Sequence, residues 1–171
     1  MFEIDPNSQS NLGEVATSHV HLELAVDFAA RKLAGTATLA LKTLECTDQI
    51  VLDTAHLVIK SVSLESADDR TEALDIDMTT IHKVYGTALR LRLPAMVAKG
   101  TSLRILISYE TTPKGGAIQF LDAEQTLGKK HPYLFTQCEE IHARSLFPCQ
   151  DSPSVKISYS ASIRVPKPLT A

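Results

Sequence analysis

The sequence predicts an all-β fold built mostly from antiparallel strands, with at most one short helix. Apolar and polar residues alternate with a period of two over many short segments, which is the pattern of strands that bury one face. These segments follow each other closely, and no helical pattern of about 12 residues separates them. Because each strand has one apolar face, we expect the sheets to pack against each other as in a sandwich.

Four segments alternate clearly, and four more do so weakly. The longest is 155–165, in which six apolar residues, including Tyr159 and Ile163, share one face and five polar or basic residues share the other. This is the pattern of a half-buried strand. The other clear segments are 21–28, 88–93 and 102–109, and the weaker ones are 35–44, 49–53, 58–64 and 74–78.

The segments that do not alternate give the predicted helix and the predicted limits of the domain. The one predicted helix lies within residues 122–128, where Asp122 can cap its start and Gly128 can end it. Residues 1–18 are polar and unpatterned, so we expect a loose N-terminal lead before a single all-β domain over residues 19–171. The sequence stops directly after a predicted strand and two prolines, so we expect it to be a piece of a longer multi-domain enzyme.

Composition argues against several classes of partner. Seventeen basic and twenty acidic residues give a net charge of −3, and no basic stripe is present, so we expect no nucleic-acid partner. No apolar run approaches the roughly 20 residues that a membrane span needs, so we expect no membrane partner. Cys46, Cys138 and Cys149 form no CxxC pair, and the N-terminus does not resemble a secretory signal. These features predict a cytoplasmic location.

Histidines and cysteines offer only weak catalytic candidates. His19 and His21 would share one face of a strand, but a metal site needs further ligands, so a structural role is favoured. No HExxH motif occurs. Cys138 and His142, four positions apart, are a candidate pair of nucleophilic thiol and general base. In thiol enzymes, however, the base usually lies far from the cysteine in sequence. Cys149 is better interpreted as a small buried apolar residue.

Residues 131–153 fit neither a strand nor a helix period, and such irregular segments often carry sites. If residues 133–139 are extended, Gln137 and Glu139 point the same way. An amide beside a carboxylate can receive a ligand's ammonium group. From the spacing alone, however, a solvent-facing polar pair at a strand end is the favoured interpretation.

A long collinear set of motifs runs from about His19 to the end of the chain. Its strongest parts are Glu124-Gln125-Thr126, His131-Pro132-Tyr133-Leu134-Phe135, Gln137-Cys138 and Pro148-Cys149-Gln150-Asp151-Ser152-Pro153-Ser154-Val155-Lys156. In order and spacing these residues resemble the N-terminal domain of the gluzincin aminopeptidases, zinc enzymes with an HExxH motif. The resemblance is strongest to their leukotriene-A hydrolase branch.

The resemblance implies a saddle-like all-β domain that packs on the zinc-bearing catalytic domain of the same chain. It implies a metalloprotease that removes N-terminal residues from peptides with a zinc-activated water. Gln137 and Glu139 would line the pocket near the substrate's free amine. Leukotriene hydrolases carry Gln where this chain has Glu139, and a carboxylate favours peptide amines over an epoxide.

The resemblance also implies what this piece lacks. Zinc belongs to the parent enzyme, and its ligands would lie in a later domain. We therefore expect the chain alone to bind no catalytic zinc and to be inactive. We also expect it to self-associate through surfaces that the parent covers. The alternative is a stand-alone β-sandwich binding or interaction module without catalysis.

Overall fold

The computed structural model describes residues 5–65 and 70–171, which form twelve strands and two 3-10 turns. The 3-10 turns are Ala123–Gln125 and Ala143–Ser145. The strands, numbered in chain order, are β1 Val15–Asp27, β2 Lys32–Thr43, β3 Thr47–Thr54, β4 Leu57–Glu65, β5 Thr71–Ala73, β6 Asp75–Asp77, β7 Ile81–His82, β8 Gly86–Val97, β9 Ser102–Thr111, β10 Ile118–Leu121, β11 Tyr133–Thr136 and β12 Ser158–Arg164.

The strands form three sheets, which confirms the all-β prediction. The largest sheet has the order β12-β1-β2-β9-β4-β5. The second has the order β3-β8-β6, with β7 also paired to β8, and β10 and β11 form a hairpin of their own. Every pair of strands is antiparallel except β1 and β12, which run parallel.

One apolar core joins the faces of the two larger sheets, as the alternation predicted. The large sheet contributes Leu39, Ile105 and Ile107, and the second sheet contributes Leu52 and Leu89, all fully buried. Burying a side chain of this size stabilises a fold by roughly 1.5–3 kcal/mol. The core therefore fixes the two sheets face to face, and the loops at their ends are held on a rigid support.

The strand at the C-terminal end departs from its prediction. Segment 155–165 forms a strand only over Ser158–Arg164, and all seven residues of that strand are exposed. Tyr159 is 76% exposed, although the alternation predicted a half-buried face. The reason is its position: β12 is an edge strand beside β1, and in the described part of the chain no second layer covers it.

Residues 5–18 are anchored rather than loose, so the predicted lead is corrected over its described part. Strand β1 already begins at Val15, which is completely buried. Asn11 donates from Nδ2 to the Gln49 carbonyl (3.2 Å) and accepts the Val51 N–H (2.9 Å). The Asn11 side chain thus satisfies backbone hydrogen-bonding groups on the open edge of β3. A polar sequence in this segment therefore does not mean that the segment is free in solvent. Residues 1–4 lie outside the described part.

The predicted helix within 122–128 is a single 3-10 turn, Ala123–Gln125. The Asp122 N–H donates to Gln125 Oε1 (2.9 Å), and the Asp122 carbonyl accepts the Gln125 N–H (2.9 Å). The second 3-10 turn, Ala143–Ser145, was not predicted. Among the described residues, no helix has the length and apolar character needed to cross a membrane.

Candidate functional site

A cleft of about 770 Å³ is formed by three segments of the chain. Its walls are residues 5–7, residues 138–141 with Ala143, and residues 151–154. We call it the acidic cleft, because its lining includes four carboxylates and no basic side chain among the described residues, the acids being Asp5, Glu139, Glu140 and Asp151. The volume is in the range of small-ligand sites, and the charge favours a cation.

The second wall is a loop that leaves the β10–β11 hairpin. The Gln137 N–H donates to the Ala117 carbonyl (2.8 Å), which extends the hairpin ladder past the end of β11 at Thr136. The chain then turns sharply, with a cis peptide bond between Glu139 and Glu140 and a positive φ of 52° at Ile141. Strand β11 covers residues 133–136 of the segment expected to be extended, and a turn is assigned at Glu139 and Glu140.

The two predicted site residues differ in their position relative to the cleft. Glu139 lines the acidic cleft, and Gln137 is exposed outside its lining. Within residues 5–65 and 70–171, the carboxylates of Glu139 and Glu140 have no hydrogen bond or ion pair. Both remain open to a ligand.

The other two cleft carboxylates are already engaged. Asp5 accepts the Asn7 N–H (2.9 Å). A hydrogen bond from Ser152, followed by the one from Asn7, holds the pKa of Asp5 below its usual value. Asp151 accepts a hydrogen bond from Nε of Arg144 (2.8 Å). Arg144 thus neutralises Asp151, whereas Asp5 stays ionised but hydrogen-bonded, and Glu139 and Glu140 are the cleft carboxylates without a hydrogen-bond donor among the described residues.

Arg144 lies directly behind the cleft and is only 1% exposed. Besides Asp151, its guanidinium donates from Nη1 to the Tyr85 carbonyl (2.8 Å) and from Nη2 to the carbonyls of Asn7 (2.9 Å) and Asp151 (3.1 Å). Nη1 also lies 3.7 Å from Oδ1 of Asp53. A buried charge is tolerated when it is paired and hydrogen-bonded in this way.

Asp53 is the second buried acid beside Arg144, with no exposed surface. It accepts the Gln9 N–H (2.7 Å) and the Asp151 N–H (3.1 Å), in addition to the Ser8 hydroxyl (2.5 Å). These donors satisfy the carboxylate that one guanidinium cannot neutralise alone. Sequence reasoning identified neither Arg144 nor Asp53 as part of a site.

The third wall is fixed by the segment that carries the strongest sequence motif. Cys149 forms a two-hydrogen-bond bridge with Asp53 (2.8 and 3.2 Å). The buried Gln150 amide accepts the Thr17 N–H (2.8 Å) and donates to the Val15 carbonyl (2.7 Å). Cys149 and Gln150 therefore tie this segment to β3 and β1, respectively, which explains why the segment fits no simple period.

The histidine and cysteine candidates do not form a catalytic site. Burial raises the pKa of both Cys138 and Cys149, whereas a nucleophilic thiol needs a lowered pKa. Cys149 is buried, as predicted. His19 and His21 form hydrogen bonds with serine hydroxyls of β12. Across residues 5–65 and 70–171, no group of three His, Cys, Asp or Glu residues is arranged to hold a metal ion.

Comparison with known proteins confirms the resemblance inferred from the sequence. The Peptidase M1 N-terminal domain model matches residues 16–171. Leukotriene A-4 hydrolase of Xenopus laevis is 41% identical over 168 residues, which are 98% of this chain and 27% of that protein. Leucine aminopeptidase 2 of Sclerotinia sclerotiorum is 38% identical, with 98% and 27% coverage. The chain thus spans about a quarter of the length of these curated relatives.

Solved structures support the same conclusion. Native leukotriene A4 hydrolase from Saccharomyces cerevisiae superposes with a TM-score of 0.86 at 34% identity, over 97% of this chain and 26% of that one. An M1 zinc metallopeptidase from Deinococcus radiodurans has a TM-score of 0.68 at 18% identity, over 90% of this chain and 33% of that one. At that identity the second likeness concerns the fold alone.

Proposed function

Because this chain belongs to the Peptidase M1 N-terminal domain family, we propose that it is the non-catalytic N-terminal domain of a zinc aminopeptidase. The parent protein would hydrolyse N-terminal residues from peptides. The support is that relatives named leukotriene A-4 hydrolase and leucine aminopeptidase 2 align with nearly all of this chain through about a quarter of their own length. The partner of this domain would be the catalytic domain of its own chain, which would carry the zinc.

Within that protein, Glu139 would bind the α-ammonium group of the substrate. The observation that carries this proposal is an exposed carboxylate without an internal partner in an acidic cleft. An ammonium group donates strong charge-assisted hydrogen bonds to a carboxylate. The catalytic domain would cover the cleft and exclude water, which strengthens the interaction.

Gln137 would play a lesser part. It lies at the end of the hairpin, outside the lining of the cleft, and offers a neutral amide oxygen. A neutral acceptor contributes less than a carboxylate to binding a cation. The free carboxylates also favour peptide amines over an uncharged epoxide, so we propose peptides as the substrate class.

The test is Glu139→Ala in the full-length protein. Loss of a charge-assisted hydrogen bond costs about 1.5–3 kcal/mol, so kcat/KM for free-amine peptides should fall roughly ten- to a hundredfold. Gln137→Ala should cost less. Glu124→Ala removes an equivalent exposed charge from the 3-10 turn outside the cleft lining and is the matched control.

Two outcomes would contradict the proposal. If kcat/KM of the Glu139→Ala variant stays within about twofold of the parent, Glu139 is an ordinary surface carboxylate. If activity and melting temperature collapse together, Glu139 has a structural role. A full-length protein with no peptidase activity under any metal condition would favour the alternative, a binding or interaction module.

A further inference from the structure

We propose that Arg144 is a positioning residue for the acidic cleft: it holds the three walls together and thereby sets where the Glu139 carboxylate lies. This inference rests on the proposed function of Glu139. Arg144 itself does not line the cleft. It would act on the cleft through the segments that line it.

The hydrogen bonds of Arg144 reach the first and third walls, and its backbone continues the second. Nη2 donates to the carbonyl of Asn7 on the first wall (2.9 Å). Nε donates to Oδ2 of Asp151 on the third (2.8 Å), and the backbone N–H of Arg144 donates to the same oxygen (3.2 Å). Arg144 also directly follows Ala143, the last lining residue of the second wall. One side chain thus joins segments 137 positions apart in sequence.

The loop that carries Glu139 depends on how its ends are held. Its upstream end is fixed where the Gln137 N–H meets the Ala117 carbonyl. Its downstream end is fixed at Arg144, whose carbonyl accepts the Ala55 N–H (2.8 Å). Between these ends the backbone leaves the strand ladder. A shift at Arg144 is therefore transmitted to the position of Glu139.

Arg144 also decides which carboxylates remain free. Because its guanidinium neutralises Asp151 and lies beside Asp53, neither acid is available to a ligand. Losing this cation would leave two buried or half-buried acids without their counter-charge. An ammonium ligand would then be attracted to the wrong side of the cleft as well as to Glu139.

The geometry requires arginine rather than any cation. A planar guanidinium presents five N–H donors in a fixed fork, and here the fork reaches acceptors on Asn7, Tyr85 and Asp151. A lysine ammonium presents its donors from one point and cannot span them. The Arg144→Lys substitution therefore keeps the positive charge but removes the hydrogen bonds that align the walls of the cleft.

The experiment uses full-length protein and two competitive inhibitors, leucine hydroxamate and its des-amino analogue 4-methylpentanohydroxamic acid. The ratio of their inhibition constants measures recognition of the α-ammonium alone. In Arg144→Lys we expect the preference for the amine to fall about tenfold, while the des-amino inhibitor changes by less than about twofold. Arg104→Lys, an exposed arginine paired with Glu65, is the matched control and should leave both constants unchanged.

A double-mutant cycle separates positioning from general destabilisation. If Arg144 acts through Glu139, Arg144→Lys should add nothing to the loss of amine preference caused by Glu139→Ala. Additive losses would overturn the inference. A lower melting temperature with an unchanged inhibitor ratio would also overturn it, because Arg144 would then be merely structural.

The outcomes remain distinct from failure of the proposed function. If Glu139→Ala leaves the inhibitor ratio unchanged, the proposed function fails. If Glu139→Ala lowers the ratio and Arg144→Lys does not, only the positioning role fails. Should Arg144→Lys not fold, Asp151→Asn weakens the same contact with less disturbance. We expect it to lower the ratio about threefold, and no change would count against the inference.

Discussion

Gly86 is the position at which one methyl group should disturb both the fold and the cleft. It begins β8 with a left-handed φ of 80°, and a Cβ there would lie 2.2 Å from the Thr54 carbonyl oxygen. Gly100 has a similar φ of 86°, but a Cβ there would have no neighbour within 4 Å. Comparing Gly86→Ala with Gly100→Ala therefore separates the close contact from the backbone strain.

The expected changes in the free energy of unfolding follow from the backbone strain and the close contact. Alanine in the left-handed region costs about 1–2 kcal/mol. Reduced freedom of the unfolded chain offsets roughly 0.4–1 kcal/mol of that cost. Gly100→Ala should therefore lower the free energy of unfolding by about 1 kcal/mol or less. At Gly86 the buried Thr54 backbone must also move, which adds about 1–3 kcal/mol. The total for Gly86→Ala is then about 3 kcal/mol.

The assay is urea unfolding of the 171-residue chain, with the free energy of unfolding extrapolated to water and the m-value checked for constancy. If the two variants agree within about 0.5 kcal/mol, the close contact at Thr54 does not decide the stability. The Gly86 carbonyl accepts a hydrogen bond from Gln9, and the adjacent Tyr85 carbonyl accepts one from Arg144. In the full-length protein, Gly86→Ala should therefore also weaken peptide binding.

Three further predictions concern the chain itself. The exposed Cys46 should react rapidly with a thiol reagent at pH 8, whereas Cys149, which is buried and has a raised pKa, should react only after unfolding. The rapid phase of the reaction should be lost in the Cys46→Ser variant, which checks its assignment to Cys46. Purified chain with added zinc should not turn over an aminoacyl chromogenic substrate, and metal-dependent turnover that survives repurification would contradict this. The chain should self-associate through the exposed edge of β12, and the Ala161→Lys variant should self-associate less. A monodisperse monomer at high protein concentration would refute this prediction.

The long core strands were predictable because period-two alternation records which face a strand can bury. In β1 the buried Leu22 and Leu24 fall on the predicted face, and in β9 Ile105 and Ile107 do the same. The same pattern in β12 did not correspond to burial. Alternation shows that a strand is suited to an apolar layer, but a neighbouring layer must also be present, and β12 has none in the described part of the chain.

The cleft was harder to predict because its parts meet only in three dimensions. The resemblance pointed to Glu139, but nothing local distinguished Arg144 and Asp151 from ordinary loop charges. Their burial arises where residues 5–7 cross the segments that follow β11. One signal was present in the sequence: Asp53 directly follows the apolar run Ile50-Val51-Leu52 in β3, and a carboxylate within a buried strand indicates a buried cationic partner.

The acids of this region differ in what neutralises them, and that difference supports the proposal that the acidic cleft binds a cation. Asp53 and Asp151 are balanced by Arg144 and by N–H donors, so they hold the walls in place. Glu139 and Glu140 line the same cleft without such partners among the described residues. Burial commits the first pair to the fold, and exposure leaves the second pair available to the positively charged ligand that we propose.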